Sequence, residues 1–165
     1  TKAYNDGYTE LSRVTVMNVN KRVRILVAGT FDIIHVGHIR FLKAAKKLAE
    51  NSELVVVVAR NSTVKKIKKR EPIFDEKERL EIVQELKPVD KAVLGKKGSN
   101  ILDIIEEIKP DIIALGYDQN VKEEDILAWA RRRGMNLRVI RLPKFYSRID
   151  SSTKARRIIK IEENM

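Results

Sequence analysis

The chain contains no cysteine, so disulfides, thiolate nucleophiles and cysteine-ligated zinc are all excluded. That composition is what a cytoplasmic enzyme would show, and cytoplasmic is the expected location. Histidine is nearly as scarce, with His35 and His38 the only two in 165 residues. No apolar run approaches the ~20 residues of a membrane span, and the first residues lack the apolar core of a signal peptide. Glutamine occurs only at Gln84 and Gln119. Acidic residues are outnumbered, and the formal net charge is +11. Such an excess fits a nucleic-acid footprint, a site that collects phosphates, or simply a lysine-rich solvated surface. Arg131-Arg132-Arg133 precedes Gly134, so that run reads as the last turn of a helix, where cations oppose the dipole favourably.

What is present is concentrated in ten residues, Gly29 to His38. Val23 to Ala28 before them is a β-branched apolar run that predicts a buried strand. From Ile39 to Leu48, apolar residues at Phe41, Leu42, Ala45 and Leu48 mark one helix face. Strand, turn and helix in that order place both histidines at the carboxyl edge of a sheet, beside the free N–H groups of a helix N-terminus. Gly29 is expected to permit the sharp turn, Thr30 to offer a hydroxyl, and Gly37 to let a ligand approach the helix. Two imidazoles in one turn can donate hydrogen bonds to the same phosphoryl group as charge develops there. A metal reading of the pair would need carboxylates for the remaining ligands, and no metal ligand is assigned.

The rest of the chain alternates strand and helix. Strands are expected at Leu54 to Ala59, Ala92 to Leu94, Ile112 to Leu115 and Leu137 to Leu142. Helices are expected at Asp75 to Leu86, from a cap at Ser99 to Pro110, from about Glu123 to Arg133, and from Ser151 onward. This alternation predicts a doubly wound, five-stranded parallel sheet in a three-layer α/β/α sandwich. Residues 21–165 form that single domain, with residues 1–20 as an N-terminal extension.

Three further groups fall at strand ends. Gly116-Tyr117-Asp118-Gln119 follows the fourth strand, where Gly116 frees the backbone and Asp118 and Gln119 can bond to ribose or base. Ser151-Ser152-Thr153-Lys154-Ala155-Arg156 opens the last helix, and hydroxyls with a basic residue one turn in make a phosphate cradle. Lys65 to Arg70 reads as a basic loop, with Arg79 in the helix that follows.

Thr30-Phe31-Asp32 with His35-Val36-Gly37-His38 resembles the signature of the HxGH nucleotidyltransferases, the cytidylyltransferase-like superfamily. The last-helix stretch resembles that superfamily's SSTxxR motif, with Asp150 in place of the usual isoleucine. The resemblance implies transfer of a nucleoside monophosphate from a triphosphate to a phosphorylated acceptor. It assigns catalysis to His35, His38, Lys66 and Arg156, and nucleotide contacts to Thr30, Phe31, Gly37, Gly116, Asp118, Gln119, Ser151, Ser152 and Thr153 as well as the histidines. It assigns acceptor contacts to Lys69, Arg79 and Tyr146. The stretches around Val56–Arg60, Leu86–Gly95 and Asp111–Gln119 look most like the archaeal FAD synthases, which implies ATP and FMN as substrates and a divalent cation such as Mg2+. Phe74, Tyr117, Phe145 and Tyr146 could wall a flavin ring. The alternatives are a cytidylyltransferase acting on glycerol phosphate or a related polar-lipid precursor, and a non-enzymatic nucleotide- or nucleic-acid-binding domain. The expected partners are small molecules, with a homodimer left open and neither membrane nor nucleic acid favoured.

Overall fold

A computed structural model describes residues 21–97 and 101–163. The expected extension at 1–20 and the cap at Ser99 lie outside the described residues. Strands β1 (Val23–Gly29), β2 (Ser52–Val58), β3 (Lys91–Leu94), β4 (Ile112–Leu115) and β5 (Arg138–Arg141) form one sheet in the order β3-β2-β1-β4-β5. All four pairings are parallel. The six helices among the described residues are α1 (Val36–Lys46), α2 (Asn61–Lys68), α3 (Glu76–Gln84), α4 (Leu102–Ile108), α5 (Glu123–Arg132) and α6 (Ser152–Glu163).

The sheet has helices on both faces because β1 and β2 bury both. Ile25 and Val27 pack with Leu42 and Ala45 of α1 and Val83 of α3. Leu26, Val55 and Val57 point the other way, onto Ile104 and Ile105 of α4 and Ile126, Trp129 and Ala130 of α5. These runs are apolar without alternation, as strands covered on both faces must be. Each helix comes from an amphipathic stretch whose ends are set locally. Asp75 and Glu78 cap α3 reciprocally, and Gly134, in the left-handed region at φ 65°, follows α5.

The order of strands reverses beside β1, since β2 lies on one side of it and β4 on the other. Parallel sheets open a crevice at the carboxyl ends there. The β1–β4 ladder pairs Ile25 with Ile112 and Leu26 with Ile113. Further up, the Ala28 carbonyl instead accepts a hydrogen bond from the Gln119 side chain at 3.1 Å.

Two expectations need correction. The basic stretch after β2 is not a loop: Asn61–Lys68 is helix α2, and Lys69 ends it in the left-handed region at φ 56°. Arg79 is no acceptor contact. It is 0% exposed, and its guanidinium is spent on the Thr30 and Ala59 carbonyls (both 2.7 Å), the Phe74 carbonyl (3.0 Å) and Asn61 Oδ1 (2.8 Å). It braces the ends of β1 and β2 against the start of α3. A buried donor set that closes this many backbone carbonyls is expensive to delete. Arg79→Ala is expected to lower the unfolding free energy by roughly 3 kcal/mol or more, measured by urea denaturation. A loss under about 1 kcal/mol would contradict the bracing role.

Candidate active site

The two histidines cap their own helix. His35 is the N-cap of α1, and its Nδ1 accepts from the Gly37 N–H at 3.1 Å. Nδ1 of His38 accepts from the His35 N–H at 3.2 Å. This is a capping box with histidines in the places usually taken by Ser/Thr and Glu. A nitrogen that accepts from an amide cannot also carry a proton, so each neutral ring holds its proton on Nε2. Both rings therefore offer an Nε2–H donor, with their centroids 3.9 Å apart. Phe31 stacks its ring 5.4 Å from that of His38.

The backbone is shaped for these rings. Phe31 adopts φ 50°, which folds its ring back over Gly29, where a Cβ would sit 2.8 Å from it. A Cβ on Gly37 would meet the His35 ring at 2.8 Å. Gly37 thus makes room for an imidazole. Gly116 is not in the left-handed region, and a Cβ there would make only ordinary contacts, so backbone freedom is not its reason either.

Burial, then the neighbouring His35 and Lys68, push the His38 imidazole down to about 3. Burial also lowers His35, opposed by the Asp150 carboxylate. His38 is therefore a neutral donor throughout the physiological range.

Asp32, which the sequence reading left without a role, is the hub of the surrounding loops. It is 3% exposed and accepts from the N–H groups of Ile73 (3.0 and 2.9 Å) and Phe74 (3.0 Å), and from Arg156 Nη2. Burial would raise its pKa, but these hydrogen bonds and the guanidinium charge more than reverse that and hold it low. Arg156 also donates to the Glu71 carbonyl at 3.3 Å, while its buried Nε has no partner.

The last-helix hydroxyls have divided work. Ser152 docks α6 onto the histidine turn, donating to the Ile33 carbonyl at 3.0 Å and accepting from the Ile33 N–H at 3.3 Å. Ser151 accepts from the Lys154 N–H at 3.1 Å, and Thr153 from Arg70 at 3.1 Å. Gln119 accepts from the Gly116 N–H at 2.7 Å and donates to the Ala28 carbonyl, so its amide ties β4 to β1 and keeps one N–H and one lone pair over. Asp118 stays exposed.

Lys65, Lys66, Lys68 and Lys69 are all exposed, but Lys68 is the one whose charge acts on His38. Partial desolvation lowers its pKa, and Arg70, Asp118, Asp32 and Arg156 all act on it. Lys66 and Lys68 lie two positions apart, about 200° around a helix, so reading the run as a loop hid which lysine acts on His38. No group of three or more His, Asp or Glu side chains suited to a metal occurs among the described residues.

The family model described as cytidylyltransferase-like matches residues 26–158. The chain belongs to the cytidylyltransferase-like family. Relatives include the FAD synthase of Korarchaeum cryptofilum (strain OPF8), 50% identical over 139 residues and covering 84% of this chain and 92% of that one. The FAD synthase of Thermoplasma acidophilum is 47% identical over 137 residues, 83% of this chain and 94% of its own. A crystal structure from Thermoplasma volcanium GSS1, described as a lipopolysaccharide core biosynthesis protein, superposes with a TM-score of 0.71 at 44% identity, covering 76% of this chain and all of that one. In this member of the family the signature histidines are fixed to the backbone by the hydrogen bonds just described.

An imidazole that is neutral when folded but free to protonate when unfolded stabilises the fold fully above 6.5. That contribution is lost as pH falls from 6.5 toward about 3. His38 alone is expected to remove roughly 2 kcal/mol of stability between pH 7 and pH 5. Asparagine retains an acceptor at the Nδ1 position and does not titrate. Unfolding curves of His38→Asn should therefore be flatter over that interval, and an unchanged slope would contradict the assignment.

Proposed function

We propose that the chain is an FMN adenylyltransferase, making FAD and pyrophosphate from ATP and FMN. The observation that carries the reading is the locked histidine pair at the β1–β4 crevice, in a chain 44–50% identical to archaeal FAD synthases. An FMN phosphate oxygen attacks the α-phosphorus of ATP, forming the new P–O bond. The bond from the α-phosphorus to the oxygen bridging to the β-phosphorus breaks, and pyrophosphate leaves with that electron pair. The acceptor phosphate is ionised near neutrality (second pKa ~6), so no general base is needed.

Catalysis is then positioning and charge stabilisation. The Nε2–H groups of His35 and His38 supply preorganised donors to the α-phosphoryl oxygens, beside the amino end of α1. Because these donors are uncharged, they do not anchor the ground-state triphosphate as cations would. Lys68 and Arg156 supply the positive charge for the leaving pyrophosphate. The unpartnered Nε of Arg156 is a buried donor that costs about 1–3 kcal/mol when unmet. Thr30, Ser151 and Thr153 stand at the same mouth as further hydroxyl donors. The described residues build no metal cage, so a divalent cation such as Mg2+ would be carried in by the triphosphate oxygens.

Chromatography of products from ATP and FMN with Mg2+ should show FAD and pyrophosphate. Product from CTP and glycerol phosphate, with no FAD, would assign the chain to the cytidylyltransferase alternative. Salt-sensitive retention of nucleic acid without pyrophosphate release would favour a binding module. His38→Asn should lower kcat by roughly two to three orders of magnitude in a protein that stays folded, since the helix cap survives and only the Nε2–H is lost. Lys68→Met should act in the same direction through the leaving group. A folded His38→Asn protein with full turnover would refute the donor role.

A further inference from the structure

Arg141 ends β5, and its guanidinium is turned onto the stretch that joins β4 to α5. Nη1 donates to the Gly116 carbonyl at 2.8 Å and to the Gln119 carbonyl at 3.0 Å, and Nη2 to the Val121 carbonyl at 2.6 Å. Nε donates to the carboxylate of Glu123, where α5 begins. The strand end that carries the arginine is itself fixed. The Leu142 N–H donates to the Leu115 carbonyl at 2.8 Å, Phe145 packs against the core, and Arg40 of α1 donates to the Tyr146 carbonyl at 2.7 Å. The Tyr146 side chain stays 75% exposed at the rim. Residues 116–122, by contrast, lie outside helix and strand. The Gln119 side chain ties them to β1 from one side, and Arg141 gathers their carbonyls from the other. Asp118, within this segment, acts by charge on Lys68 of α2, so the segment faces the proposed phosphate site.

We propose that Arg141 is a positioning residue for the nucleotide, holding residues 116–122 in one shape before the triphosphate arrives and thereby setting the preference for ATP over CTP. The inference rests on the reading of the crevice as a nucleotide site and says what makes its rim selective. Carbonyls that accept from a guanidinium are not turned toward a polyanion. A segment already ordered loses no further conformational entropy when its ligand binds. Fixed hydrogen-bonding groups also reject a wrong base, because polar atoms are then left unpaired, whereas a mobile segment rearranges around it. The planar fork of arginine suits this work, since it spans carbonyls from three residues at once. Arg141 thus does beside β4 what Arg79 does beside β2, with one difference. Its side chain is 30% exposed, so water can reach the carbonyls that a substitution uncovers, and Arg141 variants should fold.

The test combines calorimetric titration of ATP and CTP, each alone, with steady-state kinetics and hydrogen exchange. Arg141→Met should weaken ATP binding about tenfold and CTP binding by less than about threefold, so the preference for ATP shrinks. KM for FMN, and kcat at saturating ATP, should change by less than about threefold, the split expected of a residue that shapes nucleotide binding and not the chemical step. In the wild-type protein the Gln119 and Val121 amides should exchange slowly without nucleotide, and ATP should slow them by less than about threefold further. Fast exchange that only ATP slows would mean that the ligand orders the segment, and would overturn the proposal however the variant behaves. An Arg141→Met protein that binds ATP as the wild type does, or that loses ATP and CTP alike, would also overturn it. If the wild-type protein binds ATP but makes no FAD, the acceptor reading fails, while the titrations and the exchange still decide the role of Arg141.

Discussion

A single buried carboxylate gathers the parts of this site. Asp32 leaves β1 just before the histidine turn and is closed by two backbone N–H groups of the segment ahead of α3 and by Arg156 of α6. Three stretches far apart in sequence therefore converge on one charge. The cost of burying that charge is offset only because every partner is present at once, since a buried ion is tolerated only when it is paired and hydrogen-bonded. Arg79 does the complementary work one layer below, a buried cation closing the carbonyls left open at the ends of β1 and β2. Between these two braces the turn from Thr30 to His38 has little freedom. That rigidity is what a site acting by positioning requires.

The histidines show how far local chemistry constrains catalysis. In many sites a second side chain sets the tautomer of a catalytic imidazole. Here the backbone of the same helix does it, through the N–H groups of His35 and Gly37. The helix needs its amino end satisfied, the proposed reaction needs donors aimed at phosphate, and under that proposal one pair of rings meets both needs. Burial keeps the rings uncharged, which in the proposed mechanism leaves charge compensation to Lys68 and Arg156. The division suits a reaction in which negative charge moves from one phosphate group to the next.

Much of this was legible in the sequence. The apolar runs of β1 and β2, the 3.6-residue spacing of α1, α3 and α5, and the alternation of elements define the parallel sheet, because periodicity reports burial directly. The histidine turn was legible for the same reason: a strand, glycines and a helix start locate it without any tertiary knowledge. The rest depended on contacts across the sequence. Helix α2 buries only Val64, so its lysines looked like a solvated loop and Lys68 could not be told from Lys66. Gln119, Ser152 and Arg79 carry ligand-like groups, yet each is spent on a backbone carbonyl or amide from another element. Asp32 stood inside the quoted motif, but a carboxylate whose partners lie some forty and more than a hundred residues away gives no local sign of being a hub.

Everything proposed for the site depends on the backbone holding both imidazoles in the neutral Nε2–H form. Nitrogen NMR of protein labelled in its imidazoles tests it most directly, and with only two histidines in the chain each signal can be assigned by a single substitution. At neutral pH both rings should carry their proton on Nε2, with Nδ1 unprotonated, and His38 should stay neutral well below pH 6. A proton on Nδ1 of either ring, or a His38 that titrates near 6.5, would contradict it.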